Sequence, residues 1–386
     1  MKKEDFSLAK LLPVMFGFFI MGFIDLVGIS TSYAKDEYQL SDTLANLLPM
    51  SGLFWFLILS IPTGILMNKI GRKNTVLASF VVSGVAMLIP IFAANFQMML
   101  IAFALLGIGN TLLQVSLNPL VSNVVPTERL TSSLTAGQFI KAICSMQGPI
   151  LAAWAAGLSF GWKLIFPIYA AVTVLSTIWL VFTNIKEEKV DMAQSSFGAA
   201  FSLLKDKVIL LFFIGILVLV GVDVGYNTTF PKYLMERCGL PLAEAGLGNT
   251  VYFAARMIGA FLGAILLMKL PTAKFFMYSV FLAILGGVMM ITVTDYTIIL
   301  VGVTLFGLGY ANLFGIIFSL ALQRVPAKGN EVSALLIMGV SGGAILPPIL
   351  GVVSDATNSQ FAAMLVIMVV WCYMALLIPT INKECK

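Results

Sequence analysis

The stretch Leu105–Pro126 reads LLGIGNTLLQVSLNPLVSNVVP, and about 200 residues further on Leu305–Pro326 reads LFGLGYANLFGIIFSLALQRVP. Set side by side without gaps, they match Gly107 with Gly307, Gly109 with Gly309, Val125 with Val325 and Pro126 with Pro326. Each is apolar and long enough to cross a bilayer, which takes ~20 residues. The register extends outward, since Gly64–Ile70 (GILMNKI) parallels Ala264–Leu270 (AILLMKL), and Gly148-Pro149 stands near the counterpart of Pro347-Pro348. Shared apolar composition does not by itself align glycines and prolines, so the chain reads as a duplication. Two parallel repeats related by an axis along the membrane normal form a rocker-type transporter, with its site between the halves near the midplane.

Composition agrees. The 386 residues are 60% hydrophobic and 11% charged, with a mean hydropathy of +1.00, whereas soluble domains carry about 25% charged residues. A soluble globular protein is excluded, and the length holds on the order of twelve spans with no room for a folded soluble domain. Apolar runs between charges and Pro/Gly breaks fall roughly at 10–33, 43–68, 74–94, 97–122, 131–158, 162–183, 208–234, 243–268, 273–293, 296–322, 331–353 and 360–381. The fold class is therefore an all-α polytopic membrane protein of twelve transmembrane helices in two pseudo-symmetric six-helix bundles. The bundles occupy 1–183 and 208–386, joined by the longest polar interval, 184–207. The first apolar run is too long for a signal-peptide core and contains Asp25, so it is read as a retained span.

The net charge of +5 is spread singly rather than gathered into a stripe, which points away from nucleic acid. With alternating spans, 17 Lys and Arg residues fall on the side of the termini, against four, Lys35, Lys163, Lys232 and Arg237, on the other. The positive-inside rule places both termini in the cytoplasm, with the plasma membrane (a bacterial inner membrane) as the location. Histidine is absent, and Cys144, Cys238, Cys372 and Cys385 show no metal-like spacing. No metal, cofactor or disulfide framework is expected. Without a nucleophile–base set or a nucleotide-binding loop, neither an enzyme nor ATP drive is indicated.

Four ionisable residues fall inside apolar runs: Asp25, Lys141, Asp223 and Arg256. Each costs about 2.5 to 3.5 kcal/mol at a helix centre, so each needs a partner, a wet cavity, or both. Similar depths suggest the pairs Asp25 with Lys141 and Asp223 with Arg256, with pairing across the halves as the alternative. The acids occupy equivalent places, Gly22-Phe-Ile-Asp25-Leu-Val-Gly28 and Gly221-Val-Asp223-Val-Gly225, in the first span of each half. A carboxylate beside a mobile ammonium can act as a proton switch, so Asp25 and Asp223 are the candidate proton-coupling groups, with Asp25 favoured. The competing reading is two permanent salt bridges that only hold helices together.

Neutral sugars are held by amides that donate and accept and by aromatic rings that stack on C–H faces. Asn110, Gln114 and Asn118 share one face of the fourth span at i, i+4 and i+8. Gln138, Tyr226, Asn227, Asn249, Tyr252, Tyr310, Asn312 and Trp55 complete the candidate substrate-binding set, although membrane amides also serve as interhelical glue. Asn118-Pro119, Gly148-Pro149 and Gly342 to Pro348 mark kinks or close crossings.

Between the second and third spans stands Gly64-Ile-Leu-Met-Asn68-Lys69-Ile-Gly71-Arg72-Lys73. It resembles the signature of the major facilitator superfamily, G-x-x-x-D-R-x-G-R-R/K, with Asn68 in place of the usual Asp. In this reading Gly64 allows close helix approach, while Arg72 and Lys73 anchor the loop at the cytoplasmic face. A closer resemblance is to the fucose and glucose/galactose proton symporter branch. Its fourth span reads E-T-A-A-N-P-Y where this chain has Gln114-Val-Ser-Leu-Asn118-Pro119-Leu120. The branch's glutamate is implicated in proton coupling, and here it is an amide, so the coupling acid must lie elsewhere. The resemblance implies cavity-lining first spans and a monomeric transporter that takes a small neutral monosaccharide with protons by alternating access. Alternatives within the same fold are an organic-anion or acidic-sugar transporter that uses Lys141 and Arg256, and a drug or metabolite exporter.

Overall fold

The computed structural model describes residues 8–385 apart from 94, 122, 126, 187–200, 268–269 and 326–328. The side chains of 68, 118, 119, 127–135, 264, 322, 329–331 and 333 also lie outside the described residues, and with them those of Asn68 and Asn118 and most of the expected linker. Twelve long helices carry the described chain. They are α1 (Leu8–Glu37), α2 (Asp42–Met67), α3 (Arg72–Phe92), α4 (Phe96–Val121), α5 (Thr127–Ala156) and α6 (Trp162–Phe182), then α7 (Lys207–Cys238), α8 (Leu242–Leu266), α9 (Thr272–Thr292), α10 (Tyr296–Ala321), α11 (Ala334–Thr357) and α12 (Gln360–Glu384). Eleven are long and apolar enough to cross a membrane. The twelfth, α8, has 25 residues and carries Glu244 and Arg256. In lipid every backbone group must be satisfied within the chain, which is why the apolar runs become helices despite their many β-branched residues. Twelve helices in alternation put the start of α1 and the end of α12 at one end of the bundle, here called proximal, with the distal end opposite.

Two hydrophobic cores divide the chain. One runs from Val14 to Leu180, with Val340 and Ala344 of α11 joining it, and the other from Leu203 to Ile381. Between them α1 meets α7, α2 meets α11 and α5 meets α8. The glycines matched in the sequence repeat make matched crossings. A Cβ on Gly107 would lie 1.8 Å from the Gly52 carbonyl oxygen of α2, and one on Gly307 would lie 2.9 Å from the Tyr252 carbonyl oxygen of α8. Likewise Gly109 faces the Ser79 carbonyl at 3.1 Å, and Gly309 faces that of Ser279 at 2.4 Å. Small residues let backbones approach where no hydrophobic force draws helices together.

Several local expectations change. Gly64 has nothing within 4 Å of its would-be Cβ, so it does not mediate a close helix approach. Pro149 lies inside an unbroken α5, and Pro347 and Pro348 lie inside a continuous helix from Gly342 to Thr357. Of the two alternatives, kink or close crossing, these segments show the crossing, Gly148 against Leu26 and Gly342 against the Leu217 carbonyl. The breaks fall elsewhere. α1 tightens to 3-10 geometry at Gly22–Asp25, α11 does so at Gly339–Ser341, and α10 is interrupted between Tyr310 and Leu313. Mid-helix 3-10 stretches often mark hinges.

Candidate functional site

In the first half the break in α1 aims Asp25 at α5. Gly22 permits this contact, because a Cβ there would lie 2.9 Å from the Lys141 carbonyl and 2.8 Å from the Cys144 Cβ. The Ser145 hydroxyl donates to Asp25 Oδ2 at 2.5 Å, and Lys141 Nζ stands 3.9 Å from the same oxygen. That separation is beyond the ~2.7–2.9 Å of a charge-assisted hydrogen bond. Asp25 and Lys141 keep 20% and 23% of their side-chain surface exposed. Asp25 is thus a carboxylate with one short hydrogen bond, one remote cation and access to solvent.

The second half treats its aspartate differently. Arg256 Nη1 donates to both oxygens of Asp223, at 2.8 and 2.7 Å. The Tyr252 hydroxyl adds a bond of 2.8 Å to Oδ1, and Asn227 Nδ2 adds one of 3.2 Å. Aromatic rings enclose the cation, with the Tyr310 centroid 4.5 Å, Tyr252 5.5 Å and Phe253 5.9 Å from the guanidinium carbon. Such cation–π contacts strengthen when desolvated. Behind them Tyr226 stacks on Phe230 and Phe306, and Tyr310 stacks on Trp371.

The candidate amides divide by role. Asn110 is wholly buried and donates to the Met21 carbonyl at 2.9 Å, while Gln114 Nε2 donates to Asn110 Oδ1 at 2.8 Å. Asn312 donates to the Gly259 carbonyl, tying α10 to α8, and Asn249 donates to the Asn227 carbonyl, tying α8 to α7. All but the Gln114–Asn110 bond, which lies within α4, are interhelical contacts. The side-chain oxygens of Asn227 and Asn249 nevertheless remain buried acceptors with no protein donor. Tyr226 is fully buried, and its hydroxyl reaches only the Met290 sulfur at 3.9 Å. Gln138 is exposed and Trp55 half-buried against Phe54. Asn118 lies outside the described side chains.

In the proximal loop, Gly71 takes a φ of 89°, and Arg72 and Lys73 follow at the start of α3. Arg72 Nη1 donates to Asn123 Oδ1 at 2.7 Å, beyond the end of α4. Lys73 Nζ donates to the Val181 and Thr183 carbonyls at 3.0 and 2.8 Å, completing the C-terminus of α6, where a cation also suits the helix dipole. Lys69 is exposed.

At the distal end stands a centre that the sequence reading missed. Asp42 Oδ1 accepts from Lys232 Nζ of α7 at 2.6 Å, and Oδ2 accepts from Lys35 Nζ at 2.7 Å and Gln360 Nε2 at 2.6 Å. Asp355 of α11 in turn accepts from the backbone N–H groups of Asp42 and Thr43, at 2.8 and 2.7 Å, and so caps the start of α2 from the other half. Both Asp42 and Lys232 are buried, with 6% and 7% of their side chains exposed. The distal halves of α1 and α7 are continuously buried over Leu26–Ala34 and Gly225–Leu234. The distal end is therefore closed. In the sequence these charges looked like ordinary span ends, and only the spacing of Lys232 from Arg237, more than one turn back into the helix, hinted at burial.

Comparison with known proteins agrees with this architecture. Residues 11–348 match the family model of the Major Facilitator Superfamily. A glucose/galactose transporter of Brucella abortus is 26% identical over 394 residues, covering 96% of this chain and 92% of its own. The hexuronate transporter of Bacillus subtilis is 23% identical over 386 residues, covering 92% and 90%. The solved structure of the E. coli fucose:proton symporter FucP has a TM-score of 0.72 at 18% identity, with 98% of this chain and 99% of that one covered. The duplicated helical architecture and the match along most of the sequence lead to one conclusion: the chain belongs to the Major Facilitator Superfamily and is a multi-pass membrane transporter.

Proposed function

We propose that the protein carries a small neutral monosaccharide together with a proton, by alternating access between its two halves. The observation that carries this reading is the unequal state of the two aspartates. Asp223 is saturated by Arg256, Tyr252 and Asn227. Asp25 holds one hydroxyl and a cation at 3.9 Å. A proton placed on Asp25 removes its attraction for Lys141 at little structural cost, so this pair can couple protonation to movement of α1 against α5. The buried acceptors on Asn227 and Asn249 suit a ligand that donates hydroxyl hydrogens. The likeness to a glucose/galactose transporter over 96% of the chain supports the same class of substrate. The excess of Lys and Arg at the proximal loops supports a cytoplasmic proximal end in a bacterial plasma membrane.

A second reading takes acidic sugars. It is favoured by the loose hold on Lys141 and by the likeness to a hexuronate transporter. Counterflow in proteoliposomes separates the two, since it requires no proton gradient. Liposomes loaded with hexoses, deoxyhexoses, uronates or small organic acids are followed for entry of the labelled compound. Exchange confined to neutral sugars is the expected result, and exchange confined to anions would replace it with the second reading.

A further inference from the structure

Four residues before each intramembrane aspartate, a side chain from the fourth helix of the same half donates a hydrogen bond to the backbone. In the first half Asn110 Nδ2 donates to the Met21 carbonyl at 2.9 Å, one turn before Asp25. In the second the Tyr310 hydroxyl donates to the Leu219 carbonyl at 3.2 Å, one turn before Asp223. Asn110 and Tyr310 are partners in the sequence repeat, adjoining Gly109 and Gly309. Different chemical groups thus make the same contact at equivalent positions. Local helix geometry does not account for it, because α1 is broken at Gly22–Asp25 whereas α7 runs unbroken past Asp223.

In an α-helix the carbonyl of residue i accepts from the N–H of residue i+4. The Leu219 carbonyl is thus the regular acceptor for the N–H of Asp223, while Met21 is the residue that opens the 3-10 turn Gly22–Asp25, so its carbonyl lies at the start of the turn that carries Asp25. A second donor from outside the helix fixes the turn that carries the carboxylate. Asn110 is itself held by Gln114, whose Nε2 donates to Asn110 Oδ1 at 2.8 Å. Tyr310 is held by its stacking on Trp371 and by the guanidinium of Arg256 over its ring.

We propose that Asn110 and Tyr310 are matched positioning residues that fix the turns bearing Asp25 and Asp223, and that Gln114 is the donor that holds Asn110. An amide at 114 then has a task that an ionised carboxylate cannot perform, since the carboxylate has no hydrogen to give Asn110 Oδ1. This inference rests on the reading of Asp25 as the coupling acid.

The test uses the full chain in proteoliposomes, with Asn110→Leu, Gln114→Leu, the double variant and Tyr310→Phe. Backbone hydrogen exchange is followed over residues 21–26 and 219–224. Asn110→Leu and Gln114→Leu should speed exchange about three- to tenfold in the first segment only, the scale of one lost interhelical hydrogen bond. Tyr310→Phe, which keeps the ring, should do so in the second only. The pH midpoint of proton-driven uptake should move by about half a unit in Asn110→Leu, and the double variant should match Asn110→Leu alone because the two residues form one relay. Unchanged exchange in the folded variants, or additive effects in the double variant, would overturn the proposal. Should Asn110→Leu not fold, Gln114→Leu and Tyr310→Phe still decide it. Faster exchange with a fixed pH midpoint would overturn the positioning role and leave symport standing. Uptake by the unaltered protein that ignores pH, and survives Asp25→Asn, would overturn the symport reading and the coupling role with it.

Discussion

Asp25 and Asp223 are the same residue in matching places, but their surroundings make them different acids. Asp223→Asn leaves the Arg256 guanidinium within its aromatic enclosure without a counterion. Breaking a buried pair by removing one partner costs about 3–5 kcal/mol, and the residual exposure of Arg256 brings the cost here to the lower end of that range. The melting temperature of Asp223→Asn in detergent should therefore fall clearly below that of Asp25→Asn. Asp25→Asn should keep counterflow and lose pH-dependent accumulation of substrate; retained accumulation would remove Asp25 from the coupling step. The presence of both acids was legible in the sequence, because a charge in an apolar run is costly enough to need a reason. How tightly each is held depends on side chains from α5 and α8, more than a hundred and about thirty residues away respectively, which no local pattern specifies.

Among the elements, glycines decide how closely the helices cross. Gly107→Ala would push a Cβ to 1.8 Å from a backbone oxygen of α2, which cannot rotate aside. A destabilisation of about 1–3 kcal/mol is expected, as for other overpacked contacts. Gly64→Ala meets nothing within 4 Å and should stabilise α2 by about 0.5–1 kcal/mol through helix propensity. Thermal unfolding of the two variants should shift in opposite directions. Both glycines drew attention in the sequence, one by its repeat and one by its loop motif, and only the repeat reported packing. At the start of α7, Asp206 caps the Val208 N–H at 2.8 Å and pairs with Arg324 at 2.8 Å. Burial raises its carboxyl pKa, but Arg324 and the two capping N–H groups outweigh this and hold it below the usual carboxylate range. A depressed pKa adds stability above the unfolded value, and that stability is lost as pH falls through the folded one. Melting temperature should accordingly decline below about pH 4, and Asp206→Asn, which still offers a capping oxygen, should flatten that part of the profile.

For the whole molecule, the two cores are joined at the distal end by Asp42, Lys232 and Asp355, so charges from both halves meet where that end is closed. Lys232→Met should favour distal opening. A cysteine replacing the buried Thr31, with the native cysteines replaced by alanine, should then react about tenfold faster with an impermeant maleimide, equivalent to ~1.4 kcal/mol. An unchanged rate would show that apolar contacts between α1 and α7 hold the end shut without the ion pair.

The sequence alone determined that this chain crosses a membrane many times, that it is a duplication, and that four charges lie within the spans, because hydropathy, glycine register and the cost of buried charge are local or periodic properties. It also carried the loop motif on which the family resemblance rests. The tertiary structure decided which aspartate is saturated and which amides are spent on backbone carbonyls. It also showed that α1 and α11 break where no proline stands and that Asp42 joins the halves. Each of these depends on which helix faces which across an interface, and the bilayer makes nearly every apolar helix surface acceptable to lipid or to protein. Hydropathy therefore leaves that choice open, and close crossings at glycine together with a few polar contacts settle it.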